Sequence, residues 1–208
     1  MKLVDLKVTE FISTLASEAP APGGGSTAAL AGALGIALTE MVCGLTRGRK
    51  KYAEFETTTE EVSKEATQLI KDLQISIDKD TEAYNAVDAV FAMPKETDEE
   101  KAARSSAMQE ALKAATLVPM EVMHQCLNAL KTTQKAVGKS NQNAASDLGV
   151  AALMLGAAVK AAGLNVLINV GSIKDEAFAS KYTTEMNEII ETGDKLATEI
   201  YTAIVKSL

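Results

Sequence analysis

The sequence predicts an all-α fold: a multihelical up-and-down bundle of long helices that pairs as a homodimer. Three observations carry this. Aromatic residues make up only 4% of the chain and Trp is absent, whereas a β-sandwich or barrel covers its pleated faces with aromatic and β-branched side chains. Long segments repeat apolar residues at helical spacing. Two faces of small residues and several amphipathic stripes offer more apolar surface than one layer of five or six helices covers, which predicts the dimer. With 208 residues, no internal repeat and no low-complexity linker, residues 1–208 are expected to form one helical domain.

A first short helix is expected over Thr9–Ser17, capped by Thr9, with Phe11, Ile12 and Leu15 as its apolar stripe. Pro20 and Pro22 end it, and Gly23, Gly24 and Gly25 follow. Prolines do not sit inside helices, and consecutive glycines lose much backbone entropy on ordering. The stretch is therefore a bare-backbone loop feeding a second helix, with Ser26 or Thr27 as N-cap. Such an end favours an anion or a polarised oxygen; equally, three glycines let two helices cross closely.

The second helix is expected over Ser26–Arg47. Leu30, Leu34, Leu38, Met41 and Leu45 should face the core, and Ala28, Gly32, Gly35 and Thr39 form a second face that admits another backbone closely. After it come Arg49, Lys50 and Lys51, a dense basic cluster in a chain of net charge −7. It either complements the helix C-terminal dipole or docks an anion.

A third helix, Thr58–Phe91, places Ala66, Ile70, Leu73, Ile77, Tyr84, Val87 and Phe91 on one stripe. The position completing that spacing is Asp80. A carboxylate there needs a hydrogen-bond partner, a wet cleft, or a turn of the helix that brings it outward. Thr97 and the acids behind it cap a fourth helix, Asp98–Lys131, with a kink expected at Pro119. A polar loop over 138–143 opens a fifth helix, Gln142–Ala162, on which Asp147 shares a face with Ala144, Ala151, Met154, Ala158 and Ala161. The dipole of the first turns is sufficient reason for an acid there. Gly163 is expected to stop this helix. Asn165 and Asn169, four apart, either satisfy backbone ends or hydrogen-bond a heterocycle. Asp175 caps a last amphipathic helix, Glu176–Lys206.

The acidic balance argues against nucleic acid or an anionic membrane surface as partner. Cys43 and Cys126 lack CxxC spacing and fit buried thiols in a reducing compartment. A single histidine, His124, makes a zinc site improbable, and no metal is expected. The N-terminal residues lack the apolar core of a signal peptide, and the uncharged run Ala28–Thr39 is shorter than the ~20 residues of a spanning helix. A cytoplasmic location is expected.

Taken in order, several stretches resemble the formiminotransferase-cyclodeaminase C-terminal family. They are Pro20–Ser26 with its Ala-rich helix, Gly48–Tyr52, Asp80 with Glu82-Ala83-Tyr84, and Pro94-Lys95. Asn141 with Ser146-Asp147, Asn165 to Asn169, and Asp175–Phe178 complete the set. The resemblance spans nearly the whole chain. It implies an all-helical dimer acting on a folate without metal or redox cofactor. Of the two activities it implies, the first expectation is formimidoyltetrahydrofolate cyclodeaminase, closing 5-formimidoyltetrahydrofolate to 5,10-methenyltetrahydrofolate with release of ammonia. The alternative is methenyltetrahydrofolate cyclohydrolase, which adds water to the methenyl carbon and gives 10-formyltetrahydrofolate. A non-catalytic helical protein is the third reading.

Both reactions pass through a tetrahedral carbon between N5 and N10 and need an acid and a base. Asp80 and Asp147 are the catalytic candidates, since both fall where the pattern expects an apolar or small residue. Gly23, Gly24, Gly25 and Ser26 would press backbone N–H groups on the substrate. Asn141 and Asn169 would orient polar ring groups. Arg49, Lys50 and Lys51 would meet the glutamate tail, which can carry further glutamates.

Overall fold

The computed structural model describes residues 2–208. Among them are six α-helices and no strand: α1 (Val8–Leu15), α2 (Gly24–Gly44), α3 (Glu56–Phe91), α4 (Asp98–Ala136), α5 (Ala145–Val170) and α6 (Glu176–Ser207). The central pair is α2 and α5. α2 packs on α3 and α5, α4 bridges α3 and α5, and α6 closes the far side of α5. One apolar core runs through these contacts, with Ile36, Leu73, Met123, Leu130, Leu148 and Leu155 fully buried.

Several boundaries differ from expectation, each for a local reason. The first helix begins at Val8: Lys7 is its N-cap, and the Glu10 carboxylate accepts from the Lys7 N–H at 3.1 Å, so Thr9 lies inside the helix. The N-cap of α2 is Gly23, which places Ser26 and Thr27 in its first turn. Pro119 does not interrupt α4, which continues to Ala136. Gly163 does not stop α5 either. It lies buried within the helix, where a Cβ would sit 3.2 Å from Ile190 Cδ1, so its role is close packing. The caps at Thr97 and Asp175 form as expected: Glu100 N–H donates to Thr97 Oγ1 at 3.2 Å, and Phe178 N–H to Asp175 Oδ1 at 3.0 Å.

The largest correction concerns which face of α2 is buried. Of its expected core stripe, Leu30 packs against the core and Leu38 is half-buried, but Leu34 is 51% exposed, Met41 42% and Leu45 38%. The small-residue face is the packed one. A Cβ on Gly32 would lie 2.6 Å from Cys126 Sγ, and one on Gly35 2.8 Å from Leu155 Cγ, so α4 and α5 approach closer than any larger residue allows. Thr39 and Thr133 hydroxyls meet at 2.7 Å in the same seam. On α5, Val150, Leu153, Leu164 and Ile168 are likewise exposed. The outward faces of α2 and α5 thus both expose large apolar side chains. By length and composition, α2 and the segment Gln142–Val170 are long and apolar enough to cross a membrane, contrary to the expectation from the uncharged run alone. Half of each is buried inside the bundle, as for core helices.

Candidate active site

The first turn of α2 leaves N–H groups with no helical partner. Asp80, from the middle of α3, fills part of that need. Its Oδ2 accepts from Ser26 N–H at 2.7 Å and lies 2.8 Å from Ser26 Oγ, whose proton can also go to the Ile77 carbonyl at 3.0 Å. The carboxylate is thereby anchored by one oxygen at the positive end of a helix. Gly25 must be glycine for this, because a Cβ there would overlap the carboxylate. Among the described residues, nothing accepts from the N–H groups of Gly24 and Gly25.

Two further elements complete the cleft. Pro119 lacks an N–H, so the carbonyl of Ala115, four residues earlier in α4, has no helical donor. Asn169 of α5 supplies one, its Nδ2 donating to Ala115 O at 3.0 Å. One turn earlier, Asn165 Nδ2 donates to Ala161 O at 2.9 Å. In both amides one N–H of Nδ2 is committed, and among the described residues nothing donates to the Oδ1. Gly23, Gly24, Gly25, Asp80, Asn165 and Asn169 line a cleft of about 360 Å³, walled also by Thr81, Tyr84, Val87 and Pro119. It is more enclosed than the surface grooves beside Glu65 or His124.

The remaining expected residues gather at the other end of the bundle. Asn141 is buried and its groups are engaged. Its Oδ1 accepts from Tyr52 O–H at 3.0 Å and from Asn143 N–H at 3.1 Å, its Nδ2 donates to Leu45 O, and its N–H donates to Thr46 Oγ1. Arg49, Lys50 and Lys51 are exposed in the connection after α2. No ion pair holds them among the described residues. Lys51 Nζ sits 5.1 Å from the Tyr52 ring centroid. Asp147 is half-buried in the first turn of α5. Since α2 has 21 residues, its two ends are roughly 30 Å apart, and roughly 27 Å of helix separate Asp147 from Asn165. Within one chain, then, Gly23, Gly24, Gly25, Ser26, Asp80 and Asn169 come together. Arg49, Lys50, Lys51, Asn141 and Asp147 form a second group at the opposite pole.

The residues that periodicity missed are Thr81, Tyr84, Val87, Ala115 and Pro119. Tyr84 falls on the expected core stripe of α3, but it is 45% exposed because α3 runs on past the end of α2. Pro119 carried a signal, a proline within a helical pattern, but its meaning depends on an amide from another helix. The two cysteines are buried as expected; burial pushes the Cys43 thiol up to about 11, with Glu40 adding to the effect, and the Cys126 thiol up to about 12. His124 pairs with Glu185 at the surface, 2.7 Å apart.

A cleft with an anchored carboxylate, two unpaired N–H groups and two open amide oxygens is the equipment of an enzyme that moves protons on a polar substrate. Comparison with known proteins narrows this class. The sequence model of the formiminotransferase-cyclodeaminase family matches residues 7–188, and the chain belongs to that family. A methenyltetrahydrofolate cyclohydrolase from Methylorubrum extorquens is 41% identical over 197 residues, 95% of each chain. The formimidoyltransferase-cyclodeaminase of Rattus norvegicus is 31% identical over 189 residues, and the match spans 91% of this chain but 35% of that longer protein. Among solved structures, a formiminotetrahydrofolate cyclodeaminase from Thermotoga maritima superimposes with a TM-score of 0.82 at 30% identity, covering 100% of this chain and 98% of the other.

Proposed function

We propose that this enzyme is a methenyltetrahydrofolate cyclohydrolase, hydrolysing 5,10-methenyltetrahydrofolate to 10-formyltetrahydrofolate. One observation carries the choice: the 41% identity to a cyclohydrolase along 95% of both chains, against 30% to 32% for the cyclodeaminase matches. It reverses the order of the two activities expected from the sequence. The cyclodeaminase reading keeps one specific support, the end-to-end match to the Thermotoga maritima structure.

The chemistry assigned to the cleft is compact. The Asp80 oxygen that Ser26 does not hold takes a proton from water. The water oxygen bonds to the methenyl carbon between N5 and N10. The carbon–N5 bond then breaks as the hydroxyl on that carbon gives up its proton to solvent and becomes the formyl carbonyl. Asp80 passes its proton to N5, and the formyl group stays on N10, so one proton is released per turnover. The carboxylate also faces the positive charge of the methenyl group, which favours binding. The free Gly24 and Gly25 N–H groups stabilise the oxygen as it gains charge, and Asn165 and Asn169 accept from the ring N–H groups. Water is the only co-reactant, so neither metal nor redox cofactor enters the scheme.

The second polar group enters through a homodimer. A second copy laid antiparallel across the outward faces of α2 and α5 brings the pole carrying Arg49, Lys50, Lys51, Asn141 and Asp147 to the Asp80 cleft. The three cations then meet the glutamate tail, and Asp147 becomes the second carboxylate. Support comes from the exposed Leu34, Met41, Val150 and Leu153 between the two poles.

The test is a pair of substrates given to the purified protein. Methenyl absorbance falling faster than the uncatalysed rate, with no rise on 5-formimidoyltetrahydrofolate, supports the proposal. A rise of methenyl absorbance and ammonia release on the formimidoyl substrate overturns it in favour of deamination.

A further inference from the structure

We propose that Pro119 is a positioning residue for substrate recognition, acting through Asn169; the inference rests on the folate reading above. An asparagine amide can present either its oxygen or its nitrogen, and a cleft that must discriminate has to fix which. Here the choice is made by the backbone of another helix. Proline at 119 cannot donate to Ala115 O, so that carbonyl becomes an acceptor inside the cleft wall, and only the NH₂ of Asn169 can satisfy it, at 3.0 Å. The Oδ1 of Asn169 is thereby turned into the cleft as a free acceptor, while one N–H of its amide is held on Ala115 O. Asn165, its Nδ2 committed to Ala161 O, presents the same polarity one turn away. The two form a pair of acceptors on one helix face, suited to a ligand edge carrying two or more N–H donors. A reduced pterin ring has such an edge in its ring N–H and amino groups. Pro119 is buried in the wall of the same cleft, so the loss of a helical hydrogen bond in α4 falls where it is used.

A non-proline residue at 119 restores the helical bond to Ala115 O and competes with Asn169 for that acceptor, freeing the amide to rotate. Pro119→Ala is the direct variant, and Pro119→Val restores the same N–H while keeping more of the buried volume. Each is assayed on 5,10-methenyltetrahydrofolate alone and combined with Asn169→Ala, with thermal melts to identify any variant that has not folded. Loss of one well-placed hydrogen bond raises KM about tenfold, with kcat within about twofold because the contact is made equally in ground and transition states. In the Asn169→Ala background the substitution at 119 adds no further rise, since its route of action is gone. Unchanged KM in the single variants, or effects that add in full to Asn169→Ala, overturns the inference. A wild-type enzyme without activity on this substrate refutes the proposed function instead, so the two failures are distinguishable.

Discussion

Replacing Gly25 with alanine tests whether the carboxylate of Asp80 must sit on the first turn of α2. The new Cβ would lie 2.8 Å from Asp80 Oδ2 and closer still to the other two carboxyl atoms, well inside ordinary van der Waals contact. Asp80 is too short to slide along the helix, so it must swing away by about 1 Å or more, and Ser26 N–H then loses its 2.7 Å charged acceptor. A hydrogen bond to a charged group contributes about 1.5–3 kcal/mol. Alanine returns up to about 1 kcal/mol in helix propensity. The net loss of about 0.5–2 kcal/mol lowers Tm by roughly 1–8 °C for a chain of this length. Activity falls further than stability, because a ~1 Å misplacement of a reacting group costs on the order of a hundredfold in rate. The assay is kcat/KM on 5,10-methenyltetrahydrofolate beside a thermal melt. A Gly25→Ala enzyme with kcat/KM within twofold of wild type would show that the anchored carboxylate is not part of the chemistry.

Three further outcomes follow from other parts of the fold. Leu34→Glu puts a charge in the outward apolar face and should convert a dimer to monomer in sedimentation, with loss of activity; a wild-type monomer at micromolar concentration refutes the composite site. Native protein at pH 8 should give no reaction with a thiol reagent, and two thiols per chain should react once it is unfolded, because burial raises Cys43 to about 11 and Cys126 to about 12; rapid labelling of folded protein contradicts this. Burial alone would raise the Glu65 carboxyl, but hydrogen bonds from Lys135 and Thr132 outweigh it and hold it below its ordinary value of 4.5. A lowered folded-state pKa stabilises above the unfolded value and is lost as pH falls through the folded one. The Tm deficit of Lys135→Ala should therefore be full at pH 7 and shrink below about pH 4; a pH-independent deficit refutes the pairing.

Much of this architecture was legible in the sequence. The caps at Thr97 and Asp175 follow from side-chain chemistry within one turn, and the six helices from periodicity and composition. Asp80 stood out because a carboxylate broke an apolar stripe, and the structure supplies its partner in Ser26. The errors share one origin. The leucines of α2 look like a core face because they are larger than Gly32 and Gly35. Yet close packing selects the small face, and the large one is left for a surface that a single chain does not cover. Similarly, Pro119 and Gly163 are local helix breakers whose cost is offset by neighbours: Asn169 takes the freed carbonyl, and Met123, Met186 and Ile190 fill the space over the glycine. Asn141, Asp147 and the Arg49–Lys51 cluster could be recognised as polar exceptions. Their distance from Asp80 could not, because it depends on α2 and α5 running antiparallel.

The central claim is that the Asp80 cleft hydrolyses the methenyl group, and the decisive measurement compares wild type with Asp80→Asn at saturating 5,10-methenyltetrahydrofolate. Wild type should consume methenyl absorbance well above the uncatalysed rate and form 10-formyltetrahydrofolate. Asp80→Asn keeps the shape but not the base, and should lose at least about a hundredfold in kcat while still binding the folate. An Asp80→Asn enzyme with wild-type kcat would contradict the account.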